Sequence, residues 1–97
     1  MAEVFLSKSA EDDYAVALNW YLSQSQDAAE GFRAELLGAI GALEKTPDRF
    51  PKWDDRHRFL LFKKYPYRII YRSTNLQRLV IVAVAHTSRD PSYWVKR

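Results

Sequence analysis

The chain has 97 residues, of which 47% are hydrophobic, with a formal charge of +3; that length supplies one domain with a single core of packed layers. It contains no cysteine, which excludes a disulfide framework and a thiolate metal site. No apolar run approaches bilayer length and no signal-peptide pattern opens the chain, so no membrane partner and a cytoplasmic protein are expected. The charge is unevenly divided. Residues 1–48 carry three basic and nine acidic side chains, a net of −6, whereas residues 49–97 carry twelve and three, a net of +9. Such asymmetry points either to a polyanionic partner for the basic half or to acidic helices lying against basic strands.

Residues 3–7 read as a short first strand. Ser7 and Ser9 can each cap the helix that follows, and Ser9 to Asp12 has capping-box spacing, with Glu11, Asp12 and Asp13 where a helix dipole favours negative charge. The spacing predicts a helix over residues 10–23 whose apolar face is Ala10, Tyr14, Ala17, Leu18, Tyr21 and Leu22, with a second stripe at Val16 and Trp20. After a polar break at residues 23–26, Asp27 to Glu30 repeats the capping pattern at the head of a second helix ending near Lys45. Its buried stripe is Ala29, Phe32, Leu36, Ala39, Ile40 and Leu43, and Ala34, Gly38 and Ala42 form a ridge of small residues at spacing four. Gly38 and Gly41 each cost about 1 kcal/mol against Ala in a helix interior, so the ridge is expected to seat something closely. The first helix, through Val16 and Trp20, is the expected occupant; a helix from a partner is the alternative.

Thr46 and Pro47 stop the second helix, and Phe50 and Trp53 are expected to anchor the irregular segment that follows. Three strands come next, over residues 58–63, 67–73 and 78–85. In the middle one, Tyr67, Ile69 and Tyr71 alternate with Arg68, Ile70 and Arg72. The helix pair should cover the Tyr67 side, leaving Arg68 and Arg72 on an open face, with Arg58, Lys63, Lys64 and Arg89 completing a basic binding surface. Asp90 and Pro91 open a short terminal helical turn, and residues 95–97 are expected to fray. The fold class is therefore α+β: an N-terminal strand, a two-helix hairpin on one face of a mainly antiparallel sheet, order β-α-α-β-β-β, and a C-terminal helical turn.

That order, together with Phe50-Pro51, the strand Pro66-Tyr67-Arg68-Ile69-Ile70-Tyr71-Arg72, and His86-x-x-Arg89-Asp90-Pro91-x-Tyr93-Trp94, resembles the RelE/ParE superfamily. These are toxins of type II toxin–antitoxin modules, and the resemblance is nearest to the ParE, or plasmid stabilisation, branch. It implies a single toxin domain over residues 1–97, cytoplasmic and free of cofactors, neutralised by a cognate antitoxin encoded in the same operon. The antitoxin's extended and helical C-terminal segment would wrap the toxin, and the pair would repress its own promoter. ParE-like members poison DNA gyrase without a recognised catalytic set, whereas RelE-like members cut mRNA on the ribosome. Gyrase is the expected target, with mRNA cleavage as the alternative and a non-toxic nucleic-acid-binding module as the third reading. Val16, Trp20 and Leu37 are assigned to antitoxin contact, and a homodimer is expected for the isolated toxin or a hetero-oligomer with the antitoxin.

A ribonuclease needs a cation at the scissile phosphate and groups to take and give protons. Arg68 is the candidate cation, assisted by Lys63, Lys64, Arg72 and Arg89, with His86 and Tyr93 as proton carriers and His57 as a weaker one. If the hairpin pairs Ser73 with Arg78, Ala83 faces Arg68 and His86 points toward the helices unless a bulge intervenes. His86 then serves to hold the last turn, through Asp90 or a backbone carbonyl, and Arg89 with Asp90 forms a local ion pair. No metal set is expected, since two distant histidines and Asp54-Asp55 do not make one.

Overall fold

The computed structural model describes residues 2–75 and 77–97. Seven elements follow one another: β1 (Glu3–Leu6), α1 (Lys8–Gln24), α2 (Gln26–Lys45), β2 (Arg58–Leu61), β3 (Tyr67–Asn75), β4 (Arg78–His86) and α3 (Ser92–Val95). The sheet has the order β1-β4-β3-β2; β1 runs parallel to β4 and the other pairs are antiparallel. The chain is thus α+β, in the order that the residue pattern implied.

Helix starts lie earlier than the acidic residues suggested. Ser7, in extended conformation, accepts from the Ala10 N–H at 3.1 Å, and Ser25 accepts from the Ala28 N–H at 3.2 Å. Each serine stands where the chain turns into the helix, so its hydroxyl reaches an orphan donor of the first turn. Asp27 instead lies inside the first turn of α2, where its charge meets the dipole. The two helices cover one face of the sheet through Ala10, Ala17, Phe32, Leu36, Ala39 and Leu43, which meet Ile69, Tyr71, Leu79, Ile81 and Val84. Phe32 is the hub: its ring packs on Tyr14, Tyr21, Phe62, Tyr65 and Tyr67. Phe32→Ala should cost about 3–5 kcal/mol, transfer term and cavity together.

The other face is not the open basic surface that alternation in β3 implied. Ile70, Val82, Ala83, Ala85 and Trp94 form a second buried cluster, roofed by Trp53, Phe59 and Tyr93. The loop after α2 and the terminal helix α3 therefore make a third layer. Nor does the tail fray: the Arg97 guanidinium donates to Asp13 at 2.7 Å and to the Val82 carbonyl at 3.0 Å. These bonds tie the C-terminal turn around β4 to α1.

The hairpin register differs from the expected one by two residues. Arg78 pairs with Asn75 beside the turn and Arg68 faces Ala85 at the far end, while between the irregularities at Ser73/Asn75 and Ile70/Tyr71 the difference is one. The second irregularity undoes the one-residue offset of the first, so the parity is the expected one and His86 still lies opposite Tyr67 on the helix side. At the second irregularity Val82 and Ala83 both turn into the second cluster.

Candidate functional site

A groove of about 720 Å³ runs between α2 and β2. Ala34, Gly38 and Ala42 form one wall, Phe50, Leu60, Leu61 and Tyr65 line the other, and Arg49, Lys63 and Lys64 stand at the rim. The small-residue ridge therefore does not seat α1. Val16 and Trp20 are 71% and 57% exposed, because α1 meets α2 through Tyr14 and Tyr21 on Phe32 instead. A β-carbon on Gly38 would meet no atom within 4 Å. The ridge is free for another chain.

The far wall offers backbone as well as side chains. β2 is an edge strand; just past its end the Phe62 N–H bonds inward to the Tyr67 carbonyl and within it the Phe59 N–H bonds outward to the Pro51 carbonyl, so by alternation the Leu61 N–H points outward too. One end of the groove is closed by the Glu35 carboxylate, which accepts from the N–H groups of Lys63 at 2.9 Å and Lys64 at 2.6 Å. The Tyr65 hydroxyl closes over Gly31 and donates to the Ala28 carbonyl at 2.7 Å.

On the opposite sheet face, the Arg68 guanidinium stands against two aromatic rings. Its guanidinium carbon stands 4.9 Å from the Trp53 ring centre and 5.7 Å from that of Phe59, and one nitrogen donates to the Thr87 carbonyl at 3.3 Å. Among the described residues it forms no ion pair. Arg72, half-buried, follows on the same side of β3. Leu61, the cross-strand partner of Arg68, is 55% exposed and also lines the groove.

The other members of the expected basic face lie elsewhere. Arg58 pairs with Tyr71 on the helix side and donates to the Phe50 carbonyl at 2.6 Å, so it anchors the loop. Burial pushes the neighbouring Tyr71 hydroxyl up to about 12 against the pull of Arg58, and that hydroxyl donates to the Pro47 carbonyl. Lys63 and Lys64 border the groove, and Arg89 stacks 3.6 Å from the Tyr93 ring centre. Only two ion pairs link the basic half to the acidic one among the described residues, Arg78 with Glu3 and Arg97 with Asp13. Internal compensation therefore leaves most of the basic half unpaired.

Of the three proton-transfer candidates, His86 and Tyr93 have Asp13, Tyr67 and Arg89 as common neighbours, whereas His57 packs on Trp94. His86 lies edge-on to Tyr67 on the helix side, lining a cleft of about 190 Å³ with Asp12, Asp13 and Arg89, while Arg68 projects from the other face. The His86 Nδ1 accepts from the Ser88 N–H at 3.1 Å, so it does hold the turn, through Ser88 rather than Asp90. Asp90 accepts from the Ser92 N–H and forms no ion pair with Arg89. Tyr93 has a buried hydroxyl with no hydrogen-bond partner among the described residues; burial and Asp13 push its pKa up, against Arg89 and Arg97. His57 is buried against Trp94 and holds Asp54 at 2.9 Å, a structural pair legible only as an i, i+3 spacing. No cluster of metal-ligating side chains occurs among the described residues.

The family described as "ParE toxin of type II toxin-antitoxin system, parDE" matches residues 4–91. The chain belongs to the ParE toxin family. A chain from a structure described as "Chromosomal ParDE TA system from P. aeruginosa" shares the fold with a TM-score of 0.75 at 13% identity, over 91% of this chain and 98% of that one. No curated protein sequence matches. Membership makes this ParE chain a toxin of a type II toxin–antitoxin system.

Proposed function

We propose that this ParE toxin inhibits growth by binding DNA gyrase in the cytoplasm, and that a cognate antitoxin from the same operon neutralises it by laying a helix in the groove between α2 and β2. The observation that carries the antitoxin reading is the open ridge at Gly38. Small residues at spacing four let a second helix backbone come close, as in other helix-in-groove recognition. Arg49, Lys63 and Lys64 at the rim suit a helix with an acidic flank. Beyond the groove, exposed Val16, Trp20 and Leu37 offer apolar contacts for the antitoxin's extended portion.

Family membership supports the gyrase reading, and the placing of Arg68 and His86 on opposite faces weighs against the mRNA-cleaving alternative. Two measurements test the proposal. Supercoiling by purified gyrase should fall when the toxin is added and recover when the product of the adjacent reading frame is added. Gly38→Trp, which fills the groove, should prevent that recovery while leaving inhibition intact. Unaffected supercoiling accompanied by ribosome-dependent mRNA cleavage would overturn the gyrase assignment.

A further inference from the structure

We infer that the sheet face bearing Arg68, Arg72 and Leu61 is the surface that grips the target, through a carboxylate-bearing segment of protein, and that the groove occupant blocks it by covering Leu61. The inference rests on the reading that the target is gyrase, and it names how gyrase would be held.

Among the described residues, Arg68 pairs with no carboxylate. Its guanidinium is held in place by the Trp53 and Phe59 rings against which it lies and by one long bond to the Thr87 carbonyl. Five donors in a planar fork meet one protein acceptor among the described residues, which is the arrangement that takes a carboxylate or phosphate bidentately. Rings packed against the fork pre-orient it, so little side-chain entropy is lost on binding. Exposed Leu61 beside it and Arg72 along the strand complete a patch of arginine, aromatic and aliphatic groups, the composition of a protein-binding hot spot.

Two features favour a protein carboxylate over a nucleic acid. A single-strand binder needs free aromatic faces for bases, but Arg68 itself covers Trp53, and Trp94 is buried edge-on to that same ring. A phosphate backbone needs a track of cations, yet Lys63 and Lys64 turn to the groove and Arg58 is bonded into the loop.

Leu61 lies on the boundary. It lines the groove and it is the cross-strand neighbour of Arg68, so a helix seated on Gly38 buries part of the target patch. Neutralisation is then competition for one leucine rather than a change of shape.

The test measures binding of the intact toxin to purified gyrase A and gyrase B subunits, and separately to the product of the adjacent reading frame. Arg68→Ala should weaken gyrase binding about tenfold or more and leave antitoxin binding unchanged, which also certifies the fold. Arg68→Lys, which keeps charge but loses the fork, should restore only part of it. Leu61→Asp should weaken both partners. Wild-type toxin that binds neither gyrase subunit would remove the target reading and this inference with it. Wild-type binding that survives Arg68→Ala unchanged would overturn this inference alone. A loss upon Arg68→Ala confined to single-stranded RNA or DNA would show the occupant to be nucleic acid and overturn it as well.

Discussion

The Tyr65 hydroxyl occupies the space into which a side chain on Gly31 would project, and from there it donates to the Ala28 carbonyl at 2.7 Å. Glycine in the first half of α2 is therefore a packing requirement. Gly31→Ala gains about 1 kcal/mol of helix propensity but must move a ring wedged against Tyr21 and Phe32 and break its hydrogen bond. A net loss of about 1–2 kcal/mol is expected, in the range for overpacking. Urea denaturation of a double-mutant cycle checks it: with Tyr65→Phe, which removes the obstructing oxygen, the second substitution should cost clearly less than it does alone. Additive losses would place the strain elsewhere.

Gly38 should behave in the opposite way. A methyl group there meets nothing, so Gly38→Ala should stabilise the isolated toxin by about 0.5–1 kcal/mol through helix propensity alone. The same methyl narrows the groove, and antitoxin affinity should fall. Thermal melts of the free toxin and titration with the antitoxin give the two signs. A substitution that raises both stability and affinity would show that the ridge is not where the partner's backbone comes close.

Asp13 has more partners than any exposed acid on α1. Its carboxylate takes the Arg97 guanidinium and the Val84 N–H, with side chains 11% and 23% exposed for Asp13 and Arg97. Asp13→Ala strands a strand-edge donor and a half-buried cation, and a loss of about 2–3 kcal/mol is expected. By contrast Lys8 and Asp12 are largely exposed, and breaking that pair with Lys8→Ala should leave stability essentially unchanged. Equal losses in chemical denaturation would contradict the ranking by burial.

Much of this architecture was legible in the residue pattern, and the failures share a cause. The α2 stripe from Ala29 to Leu43 is buried as its spacing required, since a helix period states which side faces the core. The family resemblance, carried by the Pro66 to Arg72 strand and the His86 to Trp94 turn, is upheld by the match over residues 4–91. What was misread depends on partners distant in sequence. Alternation in β3 exposed Arg68 and Arg72, but Trp53 from a loop and Trp94 from the C-terminal turn roof that face. β4 carried the missing signal: the unbroken apolar run from Leu79 to Ala85 does not alternate, as befits a strand covered on both sides. The ridge on α2 likewise reads as the seat of α1, but α1 meets α2 through Tyr14 and Tyr21 on Phe32 and leaves the ridge open.

The pair of Asp54 and His57 makes the roof of that second cluster sensitive to acid. Burial by itself would raise the Asp54 carboxyl, but the N–H of Arg56, the His57 ring and the His57 N–H outweigh it and hold the group below its ordinary value of 3.8. A carboxyl whose folded pKa is depressed takes its proton more readily in the unfolded chain. Its stabilising contribution is thus complete above the ordinary carboxylate range and disappears as the pH falls through the lower folded value. Asp54→Asn retains an oxygen for the two backbone donors but loses the charge facing the His57 ring. The variant should be less stable than the parent at neutral pH, and the difference should shrink as the pH falls from about 5 toward 2, as urea midpoints at each pH would show. A gap that stayed constant across that range would mean the carboxylate's charge contributes nothing and that the loop is held by the two N–H bonds alone.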